Sequence, residues 1–219
     1  MELRQEKKLQ TASGSTIKIC TFGLTDYAES YRAMVDFTQQ RGEQSLTTKP
    51  DQIWLIQHPP VYTQGTACHQ DTLLPSEVPV VKTDRGGQIT YHGPGQIVMY
   101  PLLHLKSYGL GVKALVAHLE QAVIDLLAED SIEADRREDA PGVYVNQAKI
   151  AALGLRIRRG NSYHGLSFNV DMDLTPFQNI DPCGYKGLEV TQLRDLKPAL
   201  PVDFDGLGLS LVEHFIRLI

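Results

Sequence analysis

Four glycines crowd into residues 86–95, within Arg85-Gly86-Gly87-Gln88-Ile89-Thr90-Tyr91-His92-Gly93-Pro94-Gly95-Gln96. That density disfavours helices and long strands, so it persists where the backbone must bend sharply or let another group come close. Gly93-Pro94-Gly95 is a turn signal, and it predicts two strands, Gln88 to His92 and Gln96 to Leu103, on either side. The same glycines expose backbone N–H groups beside Arg85 that could hold a carbonyl or a phosphate. Neither nucleotide fingerprint, G-x-x-x-x-G-K-[ST] or G-x-G-x-x-G, is present. The plainer alternative is a pair of hairpin turns with an incidental arginine.

The rest of the chain mixes helices and strands without a regular βαβα alternation. Ile17 to Phe22 alternates apolar and polar residues, as a strand does, and Leu24 to Gln40 reads as a helix with Gly42 as its stop. Ile53 to Ile56 is a short apolar strand halted by Pro59 and Pro60. The clearest helix is Val112 to Leu127, where Val112, Leu115, Val116, Leu119, Val123, Leu126 and Leu127 share one face at steps of three and four. Val143 to Val145, Ile150 to Ile157 and Tyr163 to Val170 are strand-like, and Leu209 to Leu218 closes the chain as an amphipathic helix. These elements predict an α+β fold with a mixed or antiparallel sheet and flanking helices. Residues 1–15 read as a loose N-terminal arm, and 16–219 as a single catalytic domain.

Composition narrows the function. The formal net charge is −5, so nothing global points to nucleic acid. The longest apolar runs, such as Ile97 to Tyr100 and Leu209 to Val212, are far too short to cross a bilayer. The N-terminus carries charge without an apolar stretch behind it, unlike a secretory signal. Cys20, Cys68 and Cys183 are odd in number and widely spaced, which fits a reducing cytoplasm better than a disulfide framework. Cys20 suits a strand core. Cys68 lies near His58 and His69, but the ligand spacings of zinc sites are missing, and no metal is expected.

Two further segments look built for chemistry. In the first, Pro141 to Gly154, Lys149 directly precedes an apolar run. If Ile150 faces the core, strand alternation turns Lys149 the other way. A lysine there is ordinarily solvated, but a partly buried one is easier to deprotonate and could act as a general base. In the second, Asn179 to Gly187, Cys183 sits between Pro182 and Gly184, on a turn rather than inside a packed element. A turn cysteine is a candidate nucleophile, provided that a partner helps it ionise.

Taken together and in this order, these segments resemble the octanoyl-carrier-protein:protein octanoyltransferases of lipoate biosynthesis. The matching strings are RGGQITYHGPGQIVMYPLL, APGVYVNQAKIAALGLRIRRG and SYHGLSFNVDMDLTPFQNIDPCGYKGLEVTQL, which cover most of residues 85 to 193. At 151–152 this chain has Ala-Ala, where some members carry a serine or cysteine. The resemblance implies a fold shared with the catalytic domain of biotin and lipoate protein ligases. It implies a Cys–Lys pair, Cys183 as nucleophile and Lys149 as its partner. It also implies a substrate pocket formed by Arg85, Gly86, Gly87, Gln88, Ile89, Thr90, Tyr91 and His92, by Ala152, Leu153 and Gly154, and by Gly165, Leu166 and Ser167. The implied donor is octanoyl-acyl carrier protein, and the implied acceptors are lipoyl domains of 2-oxoacid dehydrogenases and the glycine cleavage H protein. No cofactor, nucleic acid or membrane is implied, and a monomer is expected.

That chemistry suits these residue types. Thioester exchange onto a cysteine is nearly isoenergetic, and transfer onward to an amine runs downhill, so ATP is not required. A free thiol leaves only a few per cent thiolate at neutral pH, so Lys149 would serve either as a cation stabilising the thiolate or as a base. Backbone N–H groups near Gly184, Gly86-Gly87 or a turn at 152–154 are candidates to stabilise the oxyanion. Leu153, Leu166, Tyr91 and Val143 are expected to wall an apolar slot, with His92 and His164 either shaping it or serving as ordinary structural histidines. Arg156, Arg158 and Arg159, with Arg136 and Arg137, could dock an acidic carrier, or could simply guard a solvated strand edge. Rival readings are an ATP-dependent lipoate-protein ligase, a papain-like cysteine hydrolase and a non-catalytic binder of acyl groups or lipoyl domains.

Overall fold

The computed structural model describes residues 1–43, 50–68, 76–138, 140–180 and 189–219. Its strands are β1 Leu3–Gln10, β2 Thr16–Leu24, β3 Gln52–Gln57, β4 Val61–Gln64, β5 Val80–Lys82, β6 Ile89–His92, β7 Gln96–Leu102, β8 Asp135–Arg136, β9 Gly142–Val145, β10 Ala148–Arg158 and β11 Asn161–Asn169. Its α-helices are α1 Tyr27–Glu43, α2 Val112–Glu129, α3 Leu193–Leu196 and α4 Phe204–Ile216. Two strands do follow one another across Gly93-Pro94-Gly95, but they enter different sheets. β7 lies inside an eight-stranded sheet ordered β1-β2-β3-β7-β11-β10-β9-β8, whereas β6 lies in a small sheet ordered β5-β4-β6. The glycines therefore make a corner between two layers. Gly95 sits at φ +88, and a Cβ there would overlap the Asp171 carbonyl. β2–β3 and β4–β5 are the parallel pairs and the remaining neighbours are antiparallel, so the expected mixed sheet is present.

The large sheet is covered on both faces. In β7 every residue is buried, which is what a central strand between two layers requires. Ile97 and Met99 join Leu115, Leu119, Val123 and Phe215 under α2 and α4, while Val98, Tyr100 and Leu102 join Met34 and Trp54 under α1. The α2 stripe matches expectation at Leu115, Leu119, Val123, Leu126 and Leu127, but Val116 is only half-buried and Val112 is 48% exposed at the helix start. The stripe also buries a carboxylate, Glu120, which accepts a hydrogen bond from the Gly142 N–H at 2.9 Å.

The β9–β10–β11 meander is built by two two-residue turns. Asn146 and Gln147 (φ 47 and 73) join β9 to β10, and Arg159 and Gly160 (φ 50 and 78) join β10 to β11. Positive φ at both turn residues matches the right-handed twist of the strands they connect.

Two expectations are corrected. Residues 1–15 are not a loose arm, because Leu3–Gln10 pairs along β2 as an edge strand. Its side chains are nearly all exposed, so only the backbone ladder betrays it, and Lys7 and Lys8 keep the outer edge charged. β3 does stop at Gln57, ahead of Pro59 and Pro60, and a new strand, β4, begins directly after them. Helix α1 starts at Tyr27, after Asp26 accepts the Glu29 N–H at 2.9 Å, because Leu24 belongs to β2. Among the described residues no helix is long and apolar enough to cross a membrane.

Candidate active site

Lys149 is the second residue of β10. Its backbone is gripped from two sides, paired with Tyr144 of β9 and bridged to Val190. The Lys149 N–H donates to the Glu189 carbonyl at 2.8 Å, and the Thr191 N–H donates to the Lys149 carbonyl at 2.9 Å. The pairing with β9 slips between Lys149 and Ala151, a bulge that re-aims the side chain. The result is a buried lysine, 4% exposed, whose Nζ lies 3.4 Å from the Pro141 carbonyl and 5.3 Å from the centre of the Tyr144 ring. Cys183 and Gly184 lie outside the described residues. The segment that carries them leaves from Ile180 and returns at Glu189, whose carbonyl bonds to Lys149.

Lys149 borders a cleft enclosing about 770 Å³ of empty space, open mouth included. Its lining is mostly apolar and brings together nearly all of the expected pocket. Arg85, Gly87, Gln88, Ile89, Thr90 and His92 contribute from the glycine-rich segment. Ala152, Leu153 and Gly154 contribute from β10, and Gly165, Leu166 and Ser167 from β11. The approach of the glycine-rich loop to β10 explains Gly154, since a Cβ there would lie 2.9 Å from Arg85 Cδ and 3.0 Å from the Gly86 carbonyl. Arg85 is buried and holds that loop to β4. It donates from Nη2 to the Thr63 carbonyl at 2.6 Å and from Nε to Thr63 Oγ1 at 3.2 Å.

Three residues expected at the cleft lie elsewhere. Tyr91 packs on Tyr62 and Phe177, with ring centroids 5.5 and 5.6 Å apart, and is not among the lining groups. Val143 is wholly buried in the α2–α4 core. Gly86 donates its N–H to the Leu155 carbonyl at 2.9 Å and is not among the lining groups. The span 152–154 is strand, not turn. Since the Leu155 carbonyl points away from β11, alternation sends the Leu153 N–H to the β9 side, where the Ala152–Gly142 pairing sets it against the Pro141 carbonyl.

Sequence reasoning missed Tyr27, Val98 and Tyr100, which line the cleft, and Asp84, which stands just outside it. Asp84 accepts hydrogen bonds from Tyr31 Oη at 3.0 Å, from Tyr163 Oη and from His164 Nε2 at 3.0 Å. Burial works to raise its carboxyl, but these three donors outweigh it and hold the pKa well below the usual carboxylate range. Burial pushes His58 down to about 4 and His92 down to about 3, and it also lowers His164. All three imidazoles are therefore neutral at pH 7. The first of them is no metal ligand, since His58 bonds the Thr25 carbonyl and Tyr100 Oη, each at 2.7 Å. Arg156, Arg158, Arg159 and Arg136 are exposed, while Arg137 stacks 4.3 Å over the Tyr144 ring.

Known proteins resemble this chain in sequence and in fold. The family model described as the lipoyl protein ligase A/B catalytic domain matches residues 26–216. An octanoyltransferase of Nitrosomonas eutropha is 56% identical over 217 residues, covering 97% of this chain and 94% of that protein. An octanoyltransferase of Nitrosomonas europaea is 57% identical over 203 residues, covering 92% and 97%. Among solved structures, lipoate-protein ligase A bound with ATP aligns with a TM-score of 0.67 at 12% identity, over 91% of this chain and 83% of that one. Biotin protein ligase from Aquifex aeolicus, in complex with biotin and ATP, aligns at 0.56 and 14% identity, over 89% and 68%. At such identities the structural likeness speaks for the fold alone.

Proposed function

The chain belongs to the lipoyl protein ligase A/B catalytic domain family and is an octanoyl-transferring acyltransferase of protein lipoylation, and from that premise we propose a donor, an intermediate and a base. The donor is octanoyl-acyl carrier protein, the intermediate is a thioester on Cys183, and Lys149 moves the protons. The acceptors are lysines of lipoyl-domain proteins, among them 2-oxoacid dehydrogenases and the glycine cleavage H protein. The setting is the cytoplasm, and residues 16–219 work as one catalytic domain.

In the first step the Cys183 thiol gives its proton to Lys149, and the thiolate attacks the acyl carbonyl of the donor. A carbon–sulfur bond to Cys183 forms, the bond to the carrier thiol breaks, and the departing thiolate takes the proton back from Lys149. In the second step the acceptor amine attacks the Cys183 thioester. Lys149 takes the amine proton, the amide forms, and Cys183 leaves as thiolate and is reprotonated. Both tetrahedral intermediates carry an oxyanion, which a backbone N–H lining the cleft would stabilise. The exposed Arg156, Arg158 and Arg159 dock the acidic carrier.

One observation carries this reading. A buried lysine borders an apolar cleft, and the chain returning from the Cys183 segment is hydrogen-bonded to that lysine's own backbone. The test is incubation with octanoyl-acyl carrier protein, without ATP, followed by intact mass. A hydroxylamine-sensitive octanoyl adduct should form, be absent in Cys183→Ser, and slow by about 10²- to 10⁴-fold in Lys149→Ala. Transfer to a lipoyl domain only when free octanoate and ATP are supplied would make the protein a ligase instead.

A further inference from the structure

Tyr27, His92, Tyr100 and His164 line one end of the cleft, with His58 packed behind them. It stands across the sheet from Lys149: His92 bonds Gln96, which pairs with Asn169 of β11, and His164 pairs with Leu155, six positions beyond Lys149 on β10. The polar atoms of the cluster face one another rather than the cleft. Asp84 accepts from His164 Nε2 at 3.0 Å, so His164 Nδ1 is the acceptor for the Tyr27 hydroxyl at 3.4 Å. His92 donates from Nδ1 to Gln96 Oε1 at 2.7 Å and accepts at Nε2 from the Thr63 hydroxyl at 3.4 Å. His58 donates from Nδ1 to the Thr25 carbonyl and accepts at Nε2 from the Tyr100 hydroxyl, both at 2.7 Å. With both nitrogens of each ring engaged, the cluster offers the cleft neutral ring carbon and π faces.

The wall is also held rigid. The Tyr27 ring stacks on His92 at 5.5 Å and meets His58 edge-on at 5.0 Å. His164 sits at φ 57 in the middle of β11, a conformation that costs a non-glycine residue and persists only when its surroundings enforce it. In a regular strand Tyr163 and His164 would point to opposite faces. Here they stack on the same side, 5.0 Å apart, and His164 stacks on Tyr31 of α1 at 5.2 Å. Tyr163, Tyr31 and His164 all bond to Asp84, which pins the reversal in place.

We propose that this aromatic cluster is the end-stop that fixes the length of acyl chain transferred, and that Asp84 is the positioning residue that keeps it from yielding. The proposal rests on the acyl chain lying in this cleft with its carbonyl at Lys149. Each buried methylene is worth about fourfold in binding. Two extra carbons would therefore favour a decanoyl chain by about fifteenfold in an open-ended slot, and a fixed wall forfeits that gain.

The test compares the parent protein with Tyr27→Phe, Asp84→Ala and His164→Asn. Tyr27→Phe keeps the ring and cuts the hydrogen bond, and asparagine tolerates the left-handed backbone at 164 while shortening the wall. An equimolar mixture of hexanoyl-, octanoyl-, decanoyl- and dodecanoyl-acyl carrier protein is supplied, and the products on a lipoyl domain are read by mass. In parallel, free octanoate and decanoate are titrated onto each protein, which requires neither the carrier nor Cys183. The decanoyl-to-octanoyl ratio should rise about fourfold in Tyr27→Phe and Asp84→Ala, and more in His164→Asn, in both measurements. A ratio that stays at the parent value in all three variants, or equal loss for both chain lengths, overturns the end-stop. A shifted ratio in the titration with no transfer from the carrier upholds the end-stop and refutes the donor assignment instead.

Discussion

On the face of the large sheet covered by α2 and α4, the buried side chains are almost all isoleucine, leucine, valine and phenylalanine. On the face covered by α1, the sheet and its neighbours bury three histidines, two tyrosines and Arg85 around the cleft. The first face gains stability from area alone and tolerates any arrangement that fills its volume. The second is buried through paired polar atoms around the cleft, so it fixes geometry while remaining sensitive to the loss of a bond. One layer stabilises the fold, and the other shapes the cavity in which the chemistry takes place.

Acid should separate the two faces most strongly. The folded-state pKa values of His58 and His92 lie near 4 and 3, below the ordinary 6.5 of the unfolded chain. Between pH 6.5 and 5 the unfolded state therefore binds more protons, and stability falls as pH falls. Each histidine contributes about 2 kcal/mol to that loss, and denaturant unfolding at pH 6.5 and 5 measures it. A flat profile would mean that the polar face is not held neutral. Leu119→Ala, wholly buried on the apolar face, should cost about 3 kcal/mol of stability, leaving the pH slope and the acyl-length profile of the folded protein unchanged. The smallest effect is expected at Glu120, a carboxylate buried in the apolar stripe of α2. Burial raises the Glu120 pKa, against the Gly142 N–H and the charge of Arg136. Glu120→Gln keeps an acceptor for Gly142 and removes a disfavoured charge, so at pH 8 it should be neutral or stabilising by up to about 1 kcal/mol. A loss of more than that by thermal unfolding would show that the carboxylate's charge is needed where it lies.

The apolar face was the legible one. The stripe from Leu115 to Leu127 repeats with the helical period, and the run Ile97 to Leu102 can only be a buried strand, so α2 and β7 followed from pattern alone. β1 did not, because Arg4 to Lys8 presents no alternation of burial to read and is ordered by its ladder with β2. The site divides in the same way. Lys149, Arg85 and the glycines stood out through unusual local strings and a family resemblance, whereas Asp84 and Tyr27 carry no local signal. Asp84 meets His164 across 80 positions of chain, and Tyr27 meets it across 137. Tyr91 was misplaced because adjacency in sequence says nothing of which face a strand residue takes until the register is known. Glu120 hid inside an apolar stripe, since its partner is a backbone N–H contributed by another strand.

The tight turns at Asn146-Gln147 and Arg159-Gly160 have a consequence for the order of assembly. They make β9, β10 and β11 a meander whose pairings span few residues, so little chain entropy is lost in closing it. Contacts between Tyr27 and His164 must wait for a loop of more than a hundred residues to close. The strand bearing Lys149 is thus expected to form early in folding and the far wall of the cleft late. In pulse-labelled hydrogen exchange, the amides of Ala152, Gly154 and Arg156, which face β11, should gain protection before those at the start of α1.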